Sequence, residues 1–442
     1  MHARQLQPQA SAAGDQPGQP HLQGEGARHD QPGSQGRGHR DEPVHQPEDR
    51  ARQEGLPEEV DACSRAGSGR PGIPLRHLGD CVRVGIVGAG VAAQAIHVPV
   101  ILRRQDLFSA TAVCDPSASV RDAVGERCRV AAAHRHERVE ELVEAGGVDA
   151  LLVLSSGSHG AICAIAADAG LPVFCEKPLS YTTAEADALE RAGARLALGY
   201  MKVYDPAVRR AAEQLAGRSP RSVEVVVLHP PAEAQLAHLR LVRADAVFPA
   251  LEDEEQRLLD IALGAAPAEA RDIYRWKLLG SVVHDLAVVR VLAGDPVIWN
   301  RVDCWPEGEL SSLALEGRLR EGGRLSIRWH FLAGYPSYRE DVRVHDEHGT
   351  VAITFPSPYL PSPGATLTVV DHDSGRPRTS RITSATSPFE EELAAFHRLV
   401  TTGAATAAGI DEGRADIVTC QRALRLYCET NAFPVGGEAV AA

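Results

Sequence analysis

Apolar and polar positions change pattern twice along the 442-residue chain. From Met1 to about Asp80 almost nothing is apolar, and the stretch QPGQPHLQGEGARHDQPGSQGRGHRDEPVHQPEDR consists largely of Gln, Gly, Pro, His, Arg and Asp. Such a composition cannot bury enough surface to offset the entropy of ordering, so residues 1–80 are expected to form a disordered tail. At Val82 the texture turns to short β-branched apolar runs separated by helix-compatible stretches. VRVGIV leads into a helix. ATAVCDP precedes a helix near Ser119 to Arg127, a short strand near Arg129 to Ala132 precedes a helix near Arg138 to Ala145, and VDALLVLSS precedes a helix from His159 to Ala169. PVFCEKP, a helix from Thr183 to Ala192 and RLALGY complete the series. Apolar strands alternating with helices are buried on both faces, which predicts an α/β Rossmann domain with a parallel sheet over residues 82–200.

After Met201 the alternation stops. VEVVVLH, GRLSIRWHF, DVRVHD, TVAITF and TLTVVD read as strands with few helices between them, predicting an α+β domain with a large, mostly antiparallel sheet over residues 201–436. Between Pro230 and Asp272 lies a helix-leaning acidic stretch containing LEDEEQRLLD. Its plain reading is a solvated helix face, and its sharper one a lid over the substrate. From Phe389 to Leu426 helical spacing returns.

Charge narrows the partners. The 46 Lys and Arg against 59 Asp and Glu give a net charge of -13, which disfavours phosphate backbones and anionic lipid, so no nucleic-acid and no membrane partner is expected. No apolar run reaches the ~18 residues of a spanning helix, and the N-terminus lacks the apolar core of a signal peptide. The nine cysteines are scattered without the close pairs that clamp zinc, and the histidines of the tail (His21, His29, His39, His45) follow no fixed spacing. Reduced thiols, a cytoplasmic location and no metal site follow as expectations.

The turn after the first strand carries candidate chemistry. Gly88-Ala89-Gly90-Val91-Ala92-Ala93 has the G-x-G-x-x-A form of a dinucleotide fingerprint. Gly88 permits the sharp turn, Gly90 lets the backbone approach a pyrophosphate, and the small Ala93 lets the helix pack closely on the sheet with its amides aimed at the anion. Glycines also mark ordinary turns, but this pattern follows a strand, opens a helix, and is succeeded 27 residues beyond Gly88 by Asp115 at the end of the second strand. A carboxylate there accepts the ribose hydroxyls and repels a 2′-phosphate, so NAD is expected rather than NADP. Arg121 lies in the next helix, and no Arg directly follows Asp115. Ser155, Ser156, Gly157 and His159 follow the fourth strand's carboxyl end, where small residues suit close passage of the nicotinamide ribose. Ser158 and His159 read equally well as the N-cap and first turn of the following helix.

The ordered series GAGVAAQAIHVP, SSGSHGAICAIAADAGLPVFCEKPLS, GYMKVYDPAV, GSVVHDLAVVRVLAG and EDVRVHDEHGTVAI resembles the Gfo/Idh/MocA oxidoreductases from Val82 to about Phe433. The resemblance implies that Lys177 of Glu176-Lys177-Pro178 sits beside the nicotinamide and the reacting hydroxyl, with Glu176 holding it or the nicotinamide side. An ammonium at that oxygen stabilises developing alkoxide and relays the proton, effects of roughly 10²- to 10⁴-fold. The family's Asp-x-x-x-His pairs an acid/base histidine with an assisting carboxylate. His284 matches the histidine, but the carboxylate position is Gly280, leaving adjacent Asp285 or a more distant acid to substitute. Lys202 and Tyr204 border the implied cleft as substrate contacts, Tyr204 reading equally as core packing, and Val203 replaces an arginine frequent in the family. His97 matches a histidine that faces the cofactor. A homodimer or homotetramer through the open sheet face is implied as well.

The expected activity is hydride transfer between NAD(H) and a secondary alcohol or ketone of a sugar, cyclitol or nucleotide-sugar-like substrate. Two rivals are a non-catalytic dinucleotide-binding regulator, which the missing carboxylate at Gly280 keeps open, and an NAD-using hydrolase or lyase with no net redox change.

Overall fold

The computed structural model describes residues 81–442 except 245, 247, 307–310, 361–363 and 374, so the tail expected over residues 1–80 lies outside the described residues. The first sheet contains β1 (Val82–Val87), β2 (Phe108–Cys114), β3 (Arg135–His136), β4 (Ala150–Val153), β5 (Val173–Glu176) and β6 (Leu196–Gly199), all parallel, in the order β3-β2-β1-β4-β5-β6. Every residue of β4, β5 and β6 is buried because helices cover both faces. The space beside Gly85 in β1 is filled by side chains, so that a Cβ there would stand 2.8 Å from a Leu151 methyl group and force it to shift.

The helices lie close to their expected positions, as in Ala118–Arg127 and Gly160–Asp168. Helix Thr183–Arg191 starts on a capping box in which Thr182 accepts the Glu185 N–H and the Glu185 side chain returns to the Thr182 N–H. The third strand differs from expectation. Residues 132–134 form a 3₁₀ turn, and the strand is only the two-residue β3, three positions further on.

The second sheet comprises β7 (Ser222–His229), β8 (Pro296–Trp305), β9 (Ser312–Leu319), β10 (Arg324–Phe331), β11 (Arg339–Asp346), β12 (Gly349–Pro356), β13 (Thr366–Asp373) and β14 (Arg376–Thr383), ordered β14-β13-β12-β11-β7-β10-β9-β8. All pairs are antiparallel except β7 with β10. Buried residues alternate along the central strands, with Val223, Val225 and Val227 inward on β7 and Val342 and Val344 inward on β11. One face therefore packs on helices, among them Pro206–Leu215 and Val283–Ala293, and the other stays open.

The change at residue 200 is one of sheet, not of packing. Helix Pro388–Thr402 returns to the parallel sheet, where Phe389, Leu393, Phe396 and Leu399 share a core with Val84, Ile86 and Leu152. Helix Ile410–Thr430 packs on both β6 and β8 and so ties the sheets together. Among the described residues no helix is long and apolar enough to cross a membrane.

Candidate active site and dinucleotide groove

β1 lies between β2 and β4, so the chain leaves these strands in opposite directions and a crevice opens beyond their carboxyl ends. Gly88 turns there at φ +89°, with a hypothetical Cβ only 2.3 Å from the Ser155 backbone nitrogen, so both conformation and space demand glycine. Gly90 is different. A Cβ there meets no protein atom within 4 Å, so nothing in the protein requires the smallest residue and the opening is free for a ligand's approach.

Asp115 holds this turn. Its Oδ2 accepts the Ala89 N–H at 2.8 Å and its Oδ1 the Ser117 N–H at 2.9 Å, which leaves lone pairs on the carboxylate for ribose hydroxyls. The Arg121 guanidinium donates to the Asp115 backbone oxygen at 2.6 Å, so a cation stands at the same edge. At the end of β4, the Ser155 hydroxyl is buried without a partner among the described residues, while Ser156 is exposed. The open space over Gly90, the unengaged Ser155 hydroxyl and the braced carboxylate fit a dinucleotide.

His159 takes a different place from the one expected. Its Nδ1 meets the Pro178 carbonyl at 2.6 Å and its Nε2 the Ser155 carbonyl at 2.8 Å. With both ring nitrogens on the main chain, it fastens the turn after β4 to the segment after Lys177. Ser158 does not cap the next helix either, since its hydroxyl donates to Glu185 at 2.7 Å.

The fingerprint helix continues as a π-helical segment, Ala93–His97, before the α-helix Val98–Arg103. Pro99 lacks an N–H and cannot close an ordinary turn, which is consistent with the widened geometry. The segment delivers His97 to a fully buried position, where Nε2 donates to Glu176 Oε1 at 2.7 Å. Glu176 ends β5 and also accepts the Lys177 N–H at 3.1 Å. Burial works to raise the pKa of its carboxyl, but the His97 bond and the Lys177 charge prevail and hold it below the usual carboxylate range. His97 is thus linked to Lys177 through Glu176.

Lys177 Nζ donates to the Gly280 carbonyl at 2.6 Å. Gly280 lies in a second π-helical segment, Ile273–Val282, which hands over to the α-helix at Val283. Such a hand-over from i→i+5 to i→i+4 bonding leaves a main-chain carbonyl over, and the backbone oxygen of Gly280, the position expected to carry a carboxylate, meets the ammonium instead. Burial and the neighbouring Lys202 charge lower Lys177 from its ordinary value, with Glu176 opposing them.

His284 lies one turn onward, its ring edge-to-face with Tyr200 at 6.1 Å and its Nδ1 buried without a partner among the described residues. Burial, then the charges of Lys177 and Lys202, push it well below the usual histidine range, so the imidazole is neutral at neutral pH. The expectation that Asp285 substitutes for the missing carboxylate is corrected. Asp285 Oδ1 accepts Lys202 Nζ at 3.2 Å and no bond to His284 is formed, because successive residues of a helix face different directions.

Lys202 is clamped between Asp285 and Glu340, and the Tyr338 hydroxyl donates to the same Glu340 oxygen at 2.6 Å. Burial opposes its charge, but the two carboxylates keep it above its ordinary value, while burial and the Glu340 charge push Asp285 well up. Tyr204 does not reach the cavity. It is 6% exposed and its hydroxyl accepts the Ala407 N–H at 3.1 Å, which makes it a packing residue and corrects the expected substrate contact.

Lys177, Lys202 and His284 line one cavity of about 300 Å³ that also includes Val91 and Ala92 of the fingerprint, so the glycine turn and the titratable groups open into the same space. Sequence reasoning missed Tyr338, His229, Gln235 and Phe389 in this lining, and the fully buried Glu340 behind it. For Glu340 a signal existed: it occupies an inward position of an alternating strand, where a charge requires a partner.

The profile of an oxidoreductase family, described by its NAD-binding Rossmann fold, matches residues 82–200. Inositol 2-dehydrogenase of Corynebacterium glutamicum is 33% identical over 131 residues, 28% of this chain and 38% of that protein. The chain spans about two fifths of the length of the first curated relatives it matches. Among solved structures, UDP-N-acetylglucosamine 3-dehydrogenase from Acidithiobacillus ferrooxidans is similar with a TM-score of 0.57 at 19% identity, over 78% of this chain and 98% of that one. A 3-ketoreductase from Actinomadura kijaniata in complex with NADP is similar with a TM-score of 0.57 at 17% identity, over 78% and 96%. These two likenesses concern the fold.

Proposed function

We propose, on the premise that the chain belongs to the Gfo/Idh/MocA oxidoreductase family, that it transfers hydride between NAD(H) and a secondary alcohol or ketone of a sugar, cyclitol or nucleotide-sugar-like compound. One observation carries this reading: the Lys177 ammonium and the neutral His284 imidazole share a cavity with the backbone beside Gly90. A bound nicotinamide supplies the hydride chemistry, and the protein supplies placement and proton handling.

In the alcohol-to-ketone direction, His284 accepts the hydroxyl proton, because it is an uncharged base of the cavity under the field of both Lys177 and Lys202, and its Nδ1 carries no competing bond among the described residues. Lys177 presents its ammonium to the developing alkoxide and exchanges the Gly280 carbonyl for it. Glu176 orients Lys177 from behind and is itself fixed by His97. Lys202 sits against the substrate with its charge already met by Asp285 and Glu340, so it donates hydrogen bonds to hydroxyls more than it attracts anions. The apolar wall of Ile96, Phe355 and Phe389 excludes water from the reacting carbon.

Gly88, Gly90, Val91, Ala92, Asp115 and Ser155 hold the dinucleotide, and the Asp115 carboxylate favours NAD over NADP. Replacing Asp115 with Ala is expected to weaken NAD more than NADP. The open face of the second sheet, where every residue of β14 is exposed, supports a homodimer or homotetramer, and the composition supports a cytoplasmic enzyme. Screening inositols, sugars and nucleotide sugars with NAD and NADP for reduced cofactor tests the reading. Turnover of one polyol class is expected, and dinucleotide binding without turnover of any class would favour the regulator instead.

A further inference from the structure

Three turns bound the dinucleotide groove: the glycine turn after β1, the Asp115 to Ser119 turn after β2, and the Ser155 to Ser158 turn after β4. The insertion between β7 and the π-helical segment Ile273–Val282 reaches the first through Gln94, bonds the second directly and sets a side chain near the third. It starts at the second sheet, where Gln235 Oε1 accepts the Ser357 hydroxyl at 3.2 Å and His238 Nε2 meets the Tyr359 carbonyl at 3.2 Å. It then crosses the fingerprint helix. Gln94, only 6% exposed, donates to the Val242 carbonyl at 2.9 Å and accepts the Val242 N–H at 2.9 Å, so a side-chain amide pairs with that residue as a neighbouring strand would. The same amide nitrogen donates to Ala89 O inside the glycine turn at 2.9 Å.

At the second turn, the Ser119 hydroxyl donates to the Arg243 carbonyl at 3.2 Å. At the third, Glu255 of helix Pro249–Leu263 stands 3.8 Å from where a Gly157 Cβ would be and accepts the Tyr181 hydroxyl at 2.6 Å. Within this crossing Val242 keeps its apolar side chain 41% exposed although its backbone is fixed, and Arg240 and Arg243 are exposed beside it. An exposed apolar side chain with two exposed arginines beside it, next to the turn after β2 that Asp115 braces, suits a purine face and a diphosphate.

We propose that residues 235–243, with helix Pro249–Leu263, form a strap that completes the outer wall of the dinucleotide groove and retains the adenosine diphosphate half of the cofactor, with Gln94 as its latch. The inference rests on the dinucleotide reading above and deepens it. Gln94 is a positioning residue, acting through Val242 rather than on the reacting atoms. The insertion accordingly covers the cofactor more than the substrate, which redirects the expectation of a substrate lid.

The test is stopped-flow fluorescence of NADH and NADPH binding to the full chain, with trypsin cleavage after Arg240 and Arg243 followed with and without NADH. Gln94→Ala is expected to release NADH about tenfold faster, the effect of losing a pair of hydrogen bonds. Wild type is expected to gain protection at the two arginines on binding, and the variant to lose it. Val242→Ser, at an exposed position that leaves the fold intact, is expected to release NADH a few fold faster. If wild type binds NADH but both variants release it at the wild-type rate, without a change in protection, the strap is overturned and the dinucleotide reading stands. If wild type binds neither dinucleotide, the reading itself falls and the strap with it.

Discussion

Lys177 and Lys202 are both ammonium groups of one cavity, yet their surroundings assign them different work. Lys177 rests on a single backbone carbonyl, whereas Lys202 neutralises two buried acids. On an identified substrate, Lys177→Ala is expected to lower kcat by roughly 10²- to 10⁴-fold with little change in thermal stability. Lys202→Met is expected instead to cost about 3 to 5 kcal/mol in denaturant unfolding, because Asp285 and Glu340 remain buried without their cation. A stable Lys202→Met protein with wild-type unfolding would contradict this division. The pH dependence belongs to the same scale. His284 lies well below 6.5 and Lys177 below 10.5. The acid limb of alcohol oxidation, set by protonation of His284, is therefore expected below pH 6.5, and the alkaline limb, set by loss of the Lys177 charge, below pH 10.5. Measured kcat/KM profiles check both, and an acid limb at or above 6.5 would remove His284 from the role of base.

At the scale of elements, the glycine turn separates what the fold needs from what a ligand needs. Gly88 is fixed by its positive φ and by Ser155, but Gly90 faces open space. Gly90→Val is expected to fold normally and to lose NADH affinity by roughly 100-fold or more, as a side chain displaces the close approach of the pyrophosphate. Unchanged affinity in titration would mean that the groove is not used. The turn was legible in the sequence because its constraint is local: strand, tight turn and helix follow within a dozen residues, and Glu176-Lys177-Pro178 is equally compact. The clamp on Lys202 was not legible, since Glu340 reaches it from 138 residues away through sheet order, which no periodicity encodes. The strap was illegible for a related reason. Gln94 and Val242 are 148 residues apart, and their link is a side-chain amide on a backbone. β3 was misplaced because two residues carry no period.

For the whole molecule, the two sheets share helices. Pro388–Thr402 covers the parallel sheet and brings Phe389 to the cavity, and Ile410–Thr430 spans β6 and β8, so the cofactor groove and the substrate wall are held as one packed unit. Composition and strand pattern announced both sheets. They could not announce that the chain's last helices return to the first, since an amphipathic helix does not specify which sheet it covers. This sharing sets Lys177, at the end of β5, against Gly280 and His284 of the second half. The central claim is that this junction moves hydride. The direct measurement follows deuterium from the carbinol carbon of a labelled polyol, found by the screen, to NAD in the presence of the purified protein, by mass spectrometry. The account predicts one deuterium on the reduced nicotinamide, with transfer slowed at least a hundredfold in Lys177→Ala. Product formation that leaves the nicotinamide unlabelled, or labelling that Lys177→Ala does not slow, would contradict it.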